Sequence, residues 1–452
     1  MSEETLQVIT AECHLAHGPR GADLNAAKIA AVVGKVISRG LIRPGQHLPT
    51  VRALAKSLHV STSTVSDAWK ILQAHAVIST DRRRGTTVRS TRGNVDGRYW
   101  HVPVAPGTLA IDMSTGTPDA ALLPPLGPAL SKMQVDLPVT SYLDDPVVPE
   151  LEDVLRQSWP FEPESLTIVD GAQDAIDRIV QAIVHLGDVV IVEEPTFPPI
   201  IDILEMAGAQ IVGLELDEEG IPIDTLGEAL EQSPVAIFLQ PRSHNPTGVT
   251  MSRRRAKQIA ALLEGRELVV IEDDHSGTIS GAELASVGEF IPKQTVHVHS
   301  FSKSHGPDLR LAAVGGTASV LAPLIRRRHL GPSWTSRLLQ YLLLSLLLDQ
   351  EAVRIVESAA DTYKLRRAQL ADALDKEGLP SGPGTGINLW VPVTNEQQTM
   401  VTLAAHGIGV APGRPFMVAN TEQDHIRLTT ASVADGQAEL AATIARAAAG
   451  RF

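Results

Sequence analysis

Ser300-Phe301-Ser302-Lys303-Ser304-His305-Gly306-Pro307-Asp308-Leu309-Arg310 sets one amine among hydroxyls where an apolar run gives way to a loop, with a guanidinium seven residues further on. An amine can form a Schiff base with a carbonyl carbon, and serine hydroxyls with an arginine fork can hold a phosphate dianion. Lys303, Ser300, Ser302 and Arg310 together therefore suit a phosphorylated aldehyde, and pyridoxal 5′-phosphate is the candidate cofactor.

Upstream of that segment, β-rich runs at 167–170, 189–193, 235–239, 268–272 and 295–301 are separated by helical ones such as 172–186 and 252–264. Alternation of this kind predicts an α/β fold with a mostly parallel sheet. Several predicted strands end in groups that a pyridoxal cofactor needs. Asp170-Gly171-Ala172-Gln173 opens a helix, so the N–H groups of Ala172 and Gln173 can meet a phosphate at a helix N-terminus. Phe197, in Glu194-Pro195-Thr196-Phe197-Pro198, offers a ring that can stack on a pyridine, although loop aromatics more often pack. Asn245, in His244-Asn245-Pro246-Thr247-Gly248, can donate to a phenolate, although an Asn-Pro turn needs no ligand. Ile271-Glu272-Asp273-Asp274-His275 ends an apolar strand in acids, one of which can keep a pyridinium nitrogen protonated. A divalent metal is the rival use of those acids. Consecutive Asp273 and Asp274 diverge on a strand and no second acid cluster has ligand spacing, so no metal is expected.

With 452 residues the chain is too long for one core, because single cores stop growing at about 250–300 residues. Its 43% hydrophobic and 20% charged composition is globular and excludes extended disorder. The lone cysteine, Cys13, excludes an internal disulfide framework and fits a reducing compartment. The longest apolar run, 338–348, contains Gln340 and Ser345 and is shorter than the ~20 residues of a membrane span; a buried or dimer-facing helix is expected. Met1-Ser2-Glu3-Glu4 does not begin a secretory signal, so the expected location is the cytoplasm.

The net charge of −13 is unevenly placed. Residues 1–90 carry 12 Lys/Arg against 6 Asp/Glu, and the remainder carries 27 against 46. A basic head on an acidic body suggests that the head meets a polyanion. Within the head, Ile29, Val32, Val33, Val36 and Ile37 recur at helical spacing, and Thr50 and Ser61 can cap helices over 51–58 and 62–73. Two short helices joined by a tight turn form a helix-turn-helix, whose second member enters the major groove. Residues 77–80 and 86–88 can pair as a hairpin tipped by Arg82, Arg83 and Arg84, a wing placed for phosphate contact.

Leu41-Ile42-Arg43-Pro44-Gly45-Gln46-His47-Leu48-Pro49-Thr50-Val51-Arg52-Ala53-Leu54-Ala55, with Val60-Ser61-Thr62-Ser63-Thr64-Val65 and Gly85-Thr86-Thr87-Val88, resembles the winged-helix domain of GntR regulators. That resemblance implies that Arg52, Ser61, Thr62, Ser63 and Thr64 face DNA. Thr62 stands where the family usually has arginine, and short hydroxyl side chains cannot make the bidentate guanine contact, which leaves Arg52 for direct base readout.

The ordered strand-end segments over roughly 110–450 resemble fold-type I aminotransferases of the aspartate class. The resemblance implies Lys303 as the Schiff-base lysine, Asp273 as partner of the pyridine nitrogen, Asn245 as phenolate partner and Phe197 as stacking ring. It also implies Ala172, Gln173, Ser300, Ser302 and Arg310 as phosphate ligands, Arg427 as the grip on a substrate carboxylate, and Tyr142 as a reach to a neighbouring subunit's cofactor. His275 stands where relatives commonly have tyrosine, and Tyr142 is followed by a segment without the usual glycine.

A winged helix joined to an aminotransferase-like domain resembles the MocR subfamily of bacterial GntR transcription regulators, over nearly the whole chain. Expected domains are a winged helix at 1–90, a linker at 91–107 punctuated by Gly93, Gly97, Pro103 and Pro106, and an effector and dimerisation domain at 108–452. The implied partners are double-stranded operator DNA, a second copy of the chain arranged head to tail, and a small effector: an amine, an amino acid or pyridoxal phosphate itself. No membrane partner is expected. A working aminotransferase with an appended winged helix is the alternative.

Overall fold

A computed structural model describes residues 2–18, 24–38, 41–43, 45–74, 78–81, 85–88, 98, 109–132, 141, 144–419 and 423–450. The chain divides into two compact units, one of Met1–Gly97 with Ile183–Val190 and Asp202–Ile211, the other of the remaining residues. Apart from Arg98, the expected linker at 91–107 lies outside the described residues.

The N-terminal module has helices Ser2–His17, Ala26–Ser38, Val51–Leu58 and Thr62–Ala74, followed by strands β1 (Ile78–Asp81) and β2 (Gly85–Val88). Thr50 starts the third helix by accepting the Ala53 N–H at 3.2 Å, and left-handed His59 (φ 55°) ends it. Ser61 then accepts the Thr64 N–H at 3.0 Å and starts the fourth, so two capping hydroxyls and one tight turn set the helix-turn-helix. β1 and β2 pair antiparallel from Ile78↔Val88 to Asp81↔Gly85. Ile29, Val33, Val36, Leu54, Leu58, Val65, Trp69, Ile78 and Val88 fill the core beneath them.

Helix Ser2–His17 was not foreseen in the sequence. Its inward stripe is Thr5, Ile9 and Cys13, a four-residue spacing carried by only one strongly apolar residue. Ile9 and Cys13 are fully buried in the winged-helix core, Thr10 Oγ1 lies 2.7 Å from Ser57 Oγ, and Thr5 donates to the His47 carbonyl at 3.1 Å. The helix is thus part of the module's core.

In the large domain, β3 (Ile111–Met113) precedes β4 (Ser165–Val169), β5 (Val189–Glu194), β6 (Gln210–Glu215), β7 (Ala236–Leu239), β8 (Val269–Asp274), β9 (Thr295–Ser300) and β10 (Ala312–Gly316). Seven of these strands form one sheet in the order β4-β10-β9-β8-β7-β5-β6. β7, β8 and β9 are parallel neighbours, whereas β10 runs antiparallel to both β4 and β9. Near-continuous burial along β7, β8 and β9 matches strands covered on both faces. Their shared direction brings three C-terminal ends to one edge, the place where open α/β sheets bind ligands.

A second sheet contains β11 (Asn388–Val393), β12 (Ile408–Pro412) and β13 (Asp424–Thr429) in the order β11-β13-β12-β3. β3 pairs parallel with β12, so residues 111–113 close a sheet otherwise built from the C-terminal part of the chain. Helix Arg337–Leu348 buries Gln340, Leu342, Leu343 and Leu346 and exposes Leu338 and Leu348. No helix of the described residues is long and apolar enough to cross a membrane.

Truncating Ile9 to Ala should lower the stability of the N-terminal module by about 2–5 kcal/mol, the cost of a large-to-small change in a packed core. Chemical denaturation of Ile9→Ala followed through Trp69 fluorescence checks this; an unchanged midpoint would show that the first helix is not part of that core.

Candidate cofactor and ligand site

Asp273 lies at the end of β8 with its carboxylate buried. Its Oδ2 accepts from Gln240 Nε2 at 2.9 Å, while Oδ1 is buried with no hydrogen-bond partner among the described residues. Burial raises this acid to about 6; the Gln240 bond opposes the rise, Asp274 adds to it, and Lys303 and His297 oppose it. An oxygen in that state is matched by an N–H donor, the group that a protonated ring nitrogen presents.

Lys303 follows β9 in the next strand-end loop. Burial, with the Arg427 charge adding to it and Asp273 pulling the other way, brings its amine down to about 8. A minor fraction is therefore free amine at neutral pH, far more than an ordinary lysine offers, and this is the form that attacks an aldehyde.

Asn245 stands in the loop after β7, and its main-chain N–H donates to Gln240 Oε1 at 2.7 Å. Its side-chain oxygen accepts from Asn388 Nδ2 at 3.3 Å and from Arg427 Nη1 at 3.4 Å. A guanidinium can only donate, so it fixes which end of the amide is oxygen and leaves the NH2 end as donor for a phenolate. Arg427 itself projects from β13, is buried, and lies 5.3 Å over the Phe416 ring while Nη2 donates to the Ser114 carbonyl. Asp273, Asn245 and Arg427, buried and 182 residues apart at the extremes, are thereby linked by hydrogen bonds through Gln240, and half-buried Lys303 joins them through the charges of Arg427 and Asp273.

A second part of the candidate site is built around Gly171. Its φ of +100° is a left-handed value, and a Cβ there would lie 2.9 Å from Arg310 Nη2, so a side chain would intrude on the guanidinium. Helix Ala172–Ile183 starts at the next residue, with Ala172 and Gln173 in its first turn, and Arg310 Nη2 donates to the Asp170 carbonyl at 3.4 Å. Buried Ser300 accepts the Ser302 N–H at 3.3 Å. Cationic Arg310 beside a helix N-terminus is suited to an oxyanion. The donor set thus fits pyridoxal phosphate at three points: amine, ring-nitrogen acid and phosphate cradle.

His275, which stands where the resembled family commonly has tyrosine, follows β8. Its Nε2 lies 3.0 Å from Ser276 Oγ, and Nδ1 is buried with no hydrogen-bond partner among the described residues. Burial, with Lys303 adding to it, holds the ring well below the ordinary histidine range, so the imidazole is neutral. Phe197 is half-buried just after the cis Glu194-Pro195 bond, at the start of helix Pro198–Ala207. Tyr142 lies outside the described residues.

Asp274, His297 and His299 bring three metal-ligating atoms within 4.8 Å of one another. The carboxylate is already spanned by Arg242, Nε to Oδ1 at 2.7 Å and Nη2 to Oδ2 at 2.6 Å, and His299 Nδ1 adds a contact at 2.8 Å. Against burial, Arg242 and His299 hold Asp274 well below the usual carboxylate range. A cation would compete with a guanidinium for both oxygens, so the cluster is an ion-pair network at the same strand ends rather than a cation cage.

In the N-terminal module, Arg52, Ser61, Thr62 and Ser63 are exposed and Thr64 is half-buried. Ser61 Oγ lies 2.6 Å from Ser63 Oγ and 2.7 Å from Thr64 Oγ1, so these hydroxyls are engaged in capping. Arg82, Arg83 and Arg84 lie outside the described residues. Sequence reasoning missed Gln240, Asn388 and Arg242, whose roles appear only when distant segments meet.

Residues 110–444 match the aminotransferase class I and II family, and residues 25–88 match the bacterial regulatory proteins of the gntR family. The vitamin B6 salvage pathway transcriptional repressor PtsJ of Salmonella typhimurium is 36% identical over 89% of this chain and 93% of its own. The chain belongs to the MocR subfamily of GntR regulators. Another such regulator, the HTH-type pyridoxine biosynthesis transcriptional regulator PdxR of Corynebacterium glutamicum, is 26% identical over 89% of this chain and 94% of its own. Among solved structures, the α-aminoadipate aminotransferase LysN of Thermus thermophilus superposes with a TM-score of 0.68 at 23% identity, covering 76% of this chain and 93% of that one. The kynurenine aminotransferase of Pyrococcus horikoshii gives 0.66 at 21% identity, covering 75% and 91%. The fold is that of fold-type I aminotransferases, mixed but mostly parallel in its large sheet, and this architecture indicates pyridoxal phosphate as cofactor.

Because only the free amine captures an aldehyde, uptake of pyridoxal phosphate by the apoprotein should accelerate with a midpoint near pH 8, the value to which burial lowers Lys303. Growth of the visible absorbance band on mixing, measured across pH, checks this; a midpoint at the ordinary lysine value near 10.4 would contradict it.

Proposed function

We propose that the chain is a pyridoxal phosphate-dependent bacterial transcription regulator working in the cytoplasm. In this reading residues 1–90 hold operator DNA, 91–107 link, and 108–452 bind the cofactor, sense a small ligand and pair head to tail with a second copy. One observation carries it: a gntR-family helix-turn-helix and a largely buried Lys303–Asp273–Asn245–Arg427 constellation occur in the same chain.

When bound, pyridoxal phosphate supplies an aldehyde open to amines and a pyridinium that draws electrons. Lys303 would hold the aldehyde carbon and Asp273 Oδ1 would accept the ring N–H. Asn245 would donate to the phenolate, Phe197 would pack on the ring, and His275 would stand beside Lys303 as a neutral group. Ala172, Gln173, Ser300, Ser302 and Arg310 would hold the phosphate, and Tyr142 would reach a partner's cofactor. Arg427 would pair with the carboxylate of an incoming amine or amino acid. Either ligand exchange or arrival of the cofactor can be the signal, and it shifts DNA binding only by its difference in affinity between two conformations. PtsJ and PdxR, named for vitamin B6 salvage and pyridoxine biosynthesis, favour the cofactor itself as signal.

A working aminotransferase remains the second reading, because the lysine, ring-nitrogen acid and carboxylate arginine are all present together. The neutral His275 in place of a phenol counts against it.

On the DNA side, Arg52 is the candidate for base readout, supported by its exposure on the first helix of the helix-turn-helix, with Ser61, Thr62, Ser63, Thr64 and the wing arginines 82–84 at the backbone. Arg52→Ala should weaken binding to the fragment upstream of the chain's own gene by about 1–3 kcal/mol and relax preference at one base pair. Fluorescence anisotropy at fixed salt checks it. Equal, sequence-blind binding by both forms would refute the assignment, and turnover of an amino donor with a keto acid without any DNA retention would favour the enzyme.

A further inference from the structure

Between the ring-nitrogen acid and the phenolate-side loop lies a residue that neither sequence reasoning nor family likeness singled out. Gln240 is 3% exposed, directly after β7, and uses three of its polar groups at once. Nε2 donates to Asp273 Oδ2 at 2.9 Å, Oε1 accepts from the Asn245 N–H at 2.7 Å, and its own N–H donates to Glu193 Oε2 at 2.7 Å. The orientation of the amide is determined, because a main-chain N–H can only donate and must face Oε1. Nε2 is left for Asp273.

We propose that Gln240 is a positioning residue that locks Asp273 to the Asn245 loop, so that the carboxylate offers Oδ1 and no other oxygen to the ring nitrogen of bound pyridoxal phosphate. This rests on the reading of the pocket given above. Asp273 has no other hydrogen-bonding side chain on Oδ2 among the described residues, so losing Gln240 frees the carboxylate to turn and leaves both oxygens unpaired. Gln240 is also the neutral spacer between two buried acids. Glu193 on β5 lies on its other side, where burial raises the acid well above its ordinary range, the Gln240 N–H opposes the rise and Asp273 adds to it. His244, whose Nε2 lies 3.6 Å from Glu193, is pushed down to about 3 by burial and brings no compensating charge. A glutamate at 240 would place a third carboxyl in that row. Its second oxygen would face Asp273 Oδ2 as acceptor against acceptor, and only a proton held between them would relieve the repulsion.

The test uses full-length protein, two variants and two ligands. Gln240→Leu removes both side-chain hydrogen bonds, and Gln240→Glu keeps the shape and the Asn245 bond while reversing the polarity toward Asp273. The ligands are pyridoxal phosphate and its 1-deaza analogue, in which C–H replaces the ring nitrogen and which makes no use of Asp273. Both variants should bind pyridoxal phosphate about tenfold or more weakly than wild type, the scale of one lost buried hydrogen bond to a charged group, while binding of the deaza analogue stays unchanged. Unchanged affinity for pyridoxal phosphate in both variants overturns the proposal. Equal losses for the two ligands also overturn it, since they would show a general packing role or misfolding. Failure of the wild-type chain to bind either ligand overturns the pocket itself and this inference with it.

Discussion

The candidate site depends on holding a buried carboxylate close to a half-buried amine. Asp273 and Lys303 each stand against a desolvation cost that disfavours their charged forms, and each moderates the other's shift. The sheet makes this possible by running β7, β8 and β9 in parallel, so that three loops deliver their side chains to one edge. At that edge the Arg242–Asp274–His299 network neutralises the neighbouring acid, which would otherwise stand as a second uncompensated charge beside Asp273. The result is an acid with one oxygen held by Gln240 and the other buried without a partner among the described residues, an arrangement suited to a ligand that brings its own N–H.

Much of this was legible in the chain because its signals are local. The alternation of apolar strands and helices, the capping hydroxyls Thr50 and Ser61 and the position of Lys303 after a strand all act over a few residues. β10 was harder to foresee, since Ala312–Gly316 is two alanines, one valine and two glycines, and Val314 alone carries the β-branched character that its neighbours have. The second sheet depends on residues 111–113 meeting 408–410, a pairing across almost three hundred residues that no local pattern announces. Helix Ser2–His17 was hidden by a buried stripe containing a threonine and a cysteine. In the candidate site, the residues that the sequence singled out carry a chemical signature of their own, whereas Gln240, Asn388 and Arg242 contact and orient other side chains and carry no such signature.

His275 gives the site its individual character. A neutral imidazole next to Lys303 presents a different hydrogen-bonding group from a phenol, and its Nε2 is already engaged with Ser276. In the proposed reading this altered group serves recognition rather than rapid turnover, alongside the gntR-family helix-turn-helix of the same chain.

The central claim is that occupancy of the Lys303 pocket is coupled to DNA binding, and the most direct measurement is operator affinity with and without saturating pyridoxal phosphate, in wild type and in Lys303→Ala. Coupling of ordinary strength predicts a change of about 5–150-fold in the wild type and a much smaller one in the variant. Identical operator affinities with and without pyridoxal phosphate in a wild-type chain that demonstrably binds it would contradict the account.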